Sequence, residues 1–400
     1  ALFAMRHGLG SQGGQPGSFT VSTPVTDASQ VIVTGTRDGS VVALRPSDGQ
    51  IYWRYNFSGR YPITSIFIQQ GVVYIVSAFG ADNTVELFAL RLRDGHALWH
   101  EQLGYDAGYP NFFQVDNGIL YMEIGLDAPG VSEQGSGVVA VRLNDGTQLW
   151  HTPYSHLISV ADGIVYLGSL YTDAAGALPM YAVEGTTGKR LWTFLSPSGN
   201  GVLVAAIYQG RVYLYDSSLA APAGELVAVD EQTGIVLRHL SIPPIGGNFF
   251  GNFAQGTNGV LYEFGSTHLY AITLTSGNRL WTAPLTGAET AAQSIAVTDS
   301  AIYLLSFPNN SHLVVTALSV ASGKLLWNTD TGPVGQYSVY NSGGVSIGGG
   351  FYEAQGIIQI GEQVFIAGTP GLITLRASDG HVLRRDLPHD ILFVVAQPTP

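Results

Sequence analysis

The side chains best suited to acid–base work or metal ligation recur at matched places in this chain. Asp48, Asp94, Asp145 and Asp379 each precede a glycine, and His96 and His381 each follow one. His100, His151 and His239 stand five residues past Gly95, Gly146 and Gly234. An aspartate before glycine serves a turn, because its short carboxylate accepts from nearby backbone N–H groups. The ten histidines show no His-Glu-x-x-His or other tight ligand spacing. Matched recurrence reads as the surface of a repeat, so no catalytic residue, cofactor site or metal ligand is assigned. Two motif matches also dissolve. Gly8-Leu9-Gly10-Ser11-Gln12-Gly13 fits a dinucleotide pattern without a strand before it or a helix after it. Gly344-Val345-Ser346-Ile347-Gly348 fits a nucleophile elbow but lies in a glycine tract.

A second set of residues suits recognition rather than reaction. Tyr105, Tyr109, Asn111, Asn248, Phe249, Phe250, Asn252, Tyr337, Tyr340, Asn341, Phe351 and Tyr352 cluster in connecting segments. Aromatic faces beside amides suit sugar or peptide ligands. The plainer reading is that these rings cap the ends of sheets.

The elements that position both sets form a repeat. Turn glycines stand at Gly49, Gly95, Gly146, Gly188, Gly234, Gly277, Gly323 and Gly380. Six residues earlier come Ala43, Ala89, Ala140, Ala182, Ala228, Ala271, Ala317 and the exception Thr374. Four residues later come Trp53, Trp99, Trp150, Trp192, Trp281 and Trp327, with Arg238 and Arg384 in the other two copies. Every tryptophan of the chain holds this position. Repeats of this period mean a solenoid or propeller.

Each unit reads as strand A, a tight turn, strand B, a variable connection, strand C, the glycine turn and strand D. Strand B carries Tyr74, Tyr121, Tyr166, Tyr213, Tyr262, Tyr303 or Phe365, with Ile32 in the first unit. Five of these tyrosines fall three residues after Gly71, Gly118, Gly163, Gly210 or Gly259, in Gln-Gly, Asn-Gly or Asp-Gly pairs that signal hairpins. The strands are apolar on both faces, as for sheets packed face to face around an axis. The expected fold is all-β, a single eight-bladed β-propeller of four-stranded antiparallel blades. Residues 1–20 read as an arm. The propeller is expected over 21–387, with blades near 21–58, 63–104, 111–152, 156–196, 201–241, 249–285, 293–329 and 356–387. The first strand A is placed at 21–25. Residues 388–400, with the apolar run 391–396, read as a strand that closes the ring on blade 1 or is exchanged with another subunit.

The pattern Ala-x₅-Gly-x₃-Trp, preceded by Gly-x-x-Tyr, resembles the pyrroloquinoline-quinone-type (PQQ-like) propeller repeat. The resemblance implies eight blades, with each Trp docked between blades against a small residue. Arg238 and Arg384 then imply weaker or repacked contacts. The same propeller in quinoprotein alcohol dehydrogenases implies a quinone with calcium, often stacked on a disulfide of adjacent cysteines. This chain has no cysteine, little insertion and no evident calcium cluster, so the non-enzymatic branch is expected.

Composition limits partners further. A formal net charge of −12 argues against nucleic acid or an anionic membrane surface, since both reward basic patches. No apolar run approaches the ~18 residues of a membrane span. Ala1 opens the sequence with no basic region and apolar core, so any signal or anchor is expected to have been removed. Low charge, few lysines and abundant Tyr, Gly, Ser and Thr point to an extracytoplasmic protein. In the expected topology the A–B and C–D turns share one face and are uniformly tight. Added length falls on the other face, in B–C connections at 79–84, 126–137, 170–179, 216–224 and 307–312 and in D–A connections at 104–111, 242–252 and 329–352. The expected function is a binding or scaffold propeller that engages a protein, peptide or glycan through this loop-rich face. The alternatives are a structural subunit joined through terminal strands, or a quinoprotein dehydrogenase.

Overall fold

The computed structural model describes residues 19–21, 31–36, 39–57, 63–78, 85–103, 112–124, 137–199, 201–216, 224–242, 252–264, 268–285, 292–306, 312–333, 357–368, 371–385 and 395–396. They form eight antiparallel sheets, seven of four strands and one of five, arranged as a β-propeller. The only helix among them is one 3₁₀ turn, Thr257–Gly259. In blades 2 to 8 the strands follow chain order. Blade 4, for example, runs Ser155–Ala161, Ile164–Ser169, Met180–Glu184 and Arg190–Phe194 as strands A to D.

Local sequence explains the hairpins. At the A–B turns, Gln70-Gly71, Asn117-Gly118, Asp162-Gly163, Gln209-Gly210 and Asn258-Gly259 all have positive φ at both residues. That backbone matches the right-handed twist of the flanking strands, and only Gly, Asn, Asp and a few polar residues adopt it at low cost. The C–D connections are five residues long in seven blades and six in blade 1. The turn glycines all have φ between 67° and 75°.

The Ala, Tyr and Trp markers meet in one row across five of the blades. In blade 2, Ala89 pairs with Tyr74 on strand B and with Trp99 on strand D. Ala140, Ala182, Ala271 and Ala317 hold the same place in their blades. With only a methyl between them, the Tyr and Trp rings approach to 5.8–6.0 Å. A bulge follows each of these alanines. In blade 1 the residue opposite Ala43 is Val33, one place beyond Ile32.

Each tryptophan reaches the next blade. Its Nε1–H donates to the carbonyl three residues before that blade's turn glycine. Trp53 thus bonds Leu92, Trp99 Leu143, Trp150 Gly185, Trp192 Glu231, Trp281 Val320 and Trp327 Ala377, at 2.7–3.1 Å. The rings pack on the glycines closely enough that a Cβ at Gly95, Gly188 or Gly234 would stand under 3.0 Å from the indole. The two arginines replace this contact with another. Arg384 donates to Pro46 O, the matching carbonyl of blade 1, and Arg238 donates to Thr275 O and Ser276 O.

Blade 1 corrects one expectation. Its strands B, C and D are Ile32–Gly35, Ser40–Leu44 and Ile51–Asn56, but its innermost strand is Val395–Ala396, paired antiparallel with Ile32 and Val33. The chain near residue 21 is not strand A. Phe19–Val21 pairs instead with strand D, as a fifth, outermost strand. The seat beside Ile32 is taken by the far end of the chain, so the N-terminal strand is left the outer edge. That edge is covered as a result. Tyr52, just before Trp53, is 6% exposed, whereas Leu280 and Leu326, the residues before Trp281 and Trp327, are 55% and 51% exposed. Strand D of blade 7 also runs on to Pro333, past the connection expected from 329.

Candidate functional site

Connection lengths divide the propeller into two unlike faces. On one, A–B turns are two to four residues and C–D turns five or six. On the other, B–C connections run from 2 to 12 residues and D–A connections from 1 to 23. Variable segments on a rigid scaffold are where binding usually resides. Of the aromatic and amide residues expected there, Tyr105, Tyr109, Asn111, Asn248, Phe249, Phe250, Tyr337, Tyr340, Asn341, Phe351 and Tyr352 lie outside the described residues. Asn252 is the first residue of strand A in blade 6, in register with Phe264.

Blades 3 and 4 show this face in most detail. The D–A connection between them is a single residue, Tyr154, held at φ 56°. Its carbonyl accepts from Leu170 N at 3.0 Å, and its ring meets Tyr171 edge-on at 5.5 Å. Beside it opens a cleft of about 300 Å³ between the two blades, lined by Thr152, Pro153, Tyr154, Ser155, Ser169, Tyr181 and Arg190 among others. The Arg190 guanidinium lies 3.9 Å over the Tyr181 ring. The hydroxyls of Ser155 and Ser169 donate to the carbonyls of Thr152 and Tyr171. Deeper in the same seam, the buried Glu123 accepts Leu157 N at 2.7 Å, and Asp116 accepts Gly163 N at 2.6 Å.

The turn aspartates are architectural. Asp48, Asp94, Asp145 and Asp379 each accept from an arginine three residues earlier, at 2.8–3.1 Å, and from a backbone N–H two residues later. The Thr147 N–H holds the Asp145 carboxyl below its ordinary value. His100 and His239 face Glu86 and Glu225 across the C–D ladder at 2.6 and 3.1 Å. For His151, Gly137 stands where those glutamates stand, and burial lowers the pKa of the ring.

Glu263 on strand B of blade 6 departs from the repeat. Ile75, Met122, Leu167, Leu214, Leu304 and Ile366 hold the matching position in other blades, all fully buried. Glu263 is itself 0% exposed, and neither carboxylate oxygen has a hydrogen-bond partner. It shares a face with Leu261, which packs against blade 5, so its seam is the one spanned by Arg238 rather than Trp. Burial pushes its carboxyl up to about 8.

Sequence reading missed Tyr154, Arg190 and Glu263. Glu263 was findable by aligning the eight strands B, since it alone is acidic at that position. Tyr154 was signalled by the shortest D–A interval, which holds no glycine. Arg190 carried no signal, because only the fold lays it over Tyr181.

Comparison with known proteins places this architecture. No curated protein shows significant sequence similarity to the chain. Among solved structures, BamB from Moraxella catarrhalis superposes with a TM-score of 0.52 at 15% identity, over 90% of this chain and 96% of that one. Dihydro-heme d1 dehydrogenase NirN, in complex with DHE, gives 0.62 at 13% identity over 94% and 78%. A quinohemoprotein alcohol dehydrogenase from Pseudomonas putida HK5 gives 0.52 at 12% over 86% and 69%. At such identities these likenesses show the fold. The sequence model for the outer membrane protein assembly factor BamB matches residues 9–156 and 130–248. Those segments span more than half the chain, and the protein therefore belongs to the BamB family of PQQ-like propellers.

Proposed function

We propose that the protein is a non-catalytic, extracytoplasmic scaffold that binds a protein partner through its loop-rich face. Membership of a family described by outer membrane protein assembly carries this reading. The asymmetry of the two faces supports it. One face repeats the same turn eight times, while the other concentrates the variation in length. The interblade tryptophans act as fasteners that keep the scaffold rigid, which lowers the ordering cost of presenting a binding surface.

Both terminal strands pair within the chain's own blade 1, an arrangement that does not call for exchange between subunits. The dehydrogenase alternative rests on shared fold with quinohemoprotein enzymes. Titration with quinone and calcium, followed by dye reduction with alcohols or sugars, tests it: saturable binding with turnover would displace the scaffold reading.

The binding test uses chemical crosslinking to an envelope extract, with retained proteins identified by mass spectrometry. Serine at Tyr105, Tyr109, Phe249 and Phe250 is expected to abolish one specific crosslinked partner. Alanine at Arg91 and Arg142, on the tight-turn face, is expected to leave it intact. The reverse pattern, or no saturable partner at all, would refute the assignment.

A further inference from the structure

The cleft between blades 3 and 4 has the chemistry of a carboxylate site. Four arginines of the repeat, Arg45, Arg91, Arg142 and Arg376, spend their charge on the aspartate of their own turn. Blade 4 breaks that pattern. Glu184 stands where those arginines stand, Thr187 stands where the aspartates stand, and the Glu184 carboxylate accepts the Thr187 hydroxyl. Arg190, two residues past Gly188 and outside that turn pair, has no carboxylate partner among the described residues.

Its guanidinium is nevertheless held in place, 3.9 Å over the Tyr181 ring. Stacking uses the face of the guanidinium and leaves the N–H edge directed sideways. A planar, bidentate acceptor is the natural complement of that edge. The cleft beneath is about 300 Å³, the lower limit of ligand pockets, so it suits one side-chain-sized group. Tyr154 walls it in a left-handed backbone conformation, which strains a bulky residue and clusters at ligand clamps. The hydroxyls of Ser155 and Ser169 already bond backbone carbonyls. Arg190 is the charged residue among those that line the cleft.

The geometry points to a subsite for the carboxylate side chain of an acidic peptide segment, gripped by Arg190 on its Tyr181 platform and flanked by Tyr154. The assignment rests on the protein-binding reading for its source of ligand, since a partner chain supplies aspartate or glutamate. It adds a residue and a charge to that reading.

The experiment titrates the full chain with N-acetylglutamate N-methylamide, its glutamine analogue and glucuronate, by calorimetry at low ionic strength. The glutamate probe is expected to bind saturably, and the glutamine analogue at least about tenfold more weakly. Arg190→Gln is expected to remove that difference, and Arg190→Lys to keep only part of it. Because Arg190 is exposed, both variants are expected to melt with the wild type. Equal binding of the glutamate and glutamine probes, discrimination that survives in Arg190→Gln, or no saturable binding would overturn the site. Glucuronate binding more tightly than the peptide probe would overturn the peptide assignment. The crosslinking test is read separately. A partner lost with the loop-face substitutions but kept in Arg190→Gln would leave the scaffold reading standing and sink this one.

Discussion

Arg384 Nη2 donates to Pro46 O across 3.2 Å, joining residues 338 positions apart at the seam where the ring closes. It takes the place of an indole, but without an indole's area. Its Nε and the Oγ1 of Thr374, its cross-strand neighbour, are both buried without partners. Arg384→Ala is expected to cost about 1.5–3 kcal/mol, the range for a hydrogen bond from a charged donor. Thr374→Ala with Arg384→Trp restores the pattern of the other blades and is expected to raise the melting temperature. Thermal and urea unfolding measure both. A double variant less stable than wild type would mean the closing seam is shaped for arginine.

Two glycine substitutions separate backbone strain from crowding. Gly118 has φ 73°, and a Cβ added there would meet nothing within 4 Å. Gly188 has φ 69°, and a Cβ there would lie 2.9 Å from Trp150. Gly118→Ala is expected to cost about 1–2 kcal/mol for the left-handed conformation alone. Gly188→Ala should cost more by the displacement of the indole. Equal losses on denaturant titration would show that the ring yields freely.

Trp150 carries packing and a hydrogen bond together. Trp150→Ala is expected to lose about 3–5 kcal/mol. Trp150→Phe keeps a ring on Gly188 but leaves Gly185 O without its donor, adding a loss of about 1 kcal/mol to that of the smaller ring. Comparing the two by urea unfolding apportions the contact.

Glu263 sets a pH dependence whose sign follows from burial. Its carboxyl is raised from 4.5 to about 8 in the folded protein. Between those values the unfolded chain has released the proton and the folded chain retains it, so stability falls as pH rises. The loss develops from about pH 4.5 and levels off above about pH 8, with a limit on the order of 5 kcal/mol. Glu263→Leu, which restores the residue type of the other blades, is expected to raise stability at pH 8 and to flatten the profile. Melting curves from pH 5 to 9 decide, and an unchanged slope in the leucine variant would place the titration elsewhere.

The two terminal strands of blade 1 differ in what they cover. Deleting 389–400 removes the partner of Ile32 and Val33 and is expected to lower the melting temperature sharply. Deleting 1–21 uncovers the edge at Tyr52 and is expected to cost less while promoting association through that edge. Calorimetry and light scattering distinguish these outcomes.

The propeller was legible because its markers are local and repeated. Gly-x-x-Tyr specifies an A–B hairpin, and Ala-x₅-Gly-x₃-Trp specifies the C–D hairpin with its bulge and ring row. Blade 1 was misread because pairing across the ends is long-range, and residues 21–25 stand shortly before strand B, where the other blades carry strand A. The residues of the proposed subsite were less legible for a different reason. Arg190 and Tyr181 sit nine positions apart on neighbouring strands, and nothing in their types distinguishes them from surface residues. Glu263 was visible only by difference, as a charge in a column of aliphatics.

Pairing Val33 with Val395 also orders events in time. Strands B to D of blade 1 are among the first made, yet their inner partner emerges roughly 360 residues later. At roughly 5–20 residues per second that interval is about 20–70 s. Throughout it, the inner edge beside Ile32 lacks the partner it has in the finished fold, while blades 2 to 8 can each zip from adjacent hairpins. The protein is thus an open arc during synthesis, and its first blade is the last to be finished.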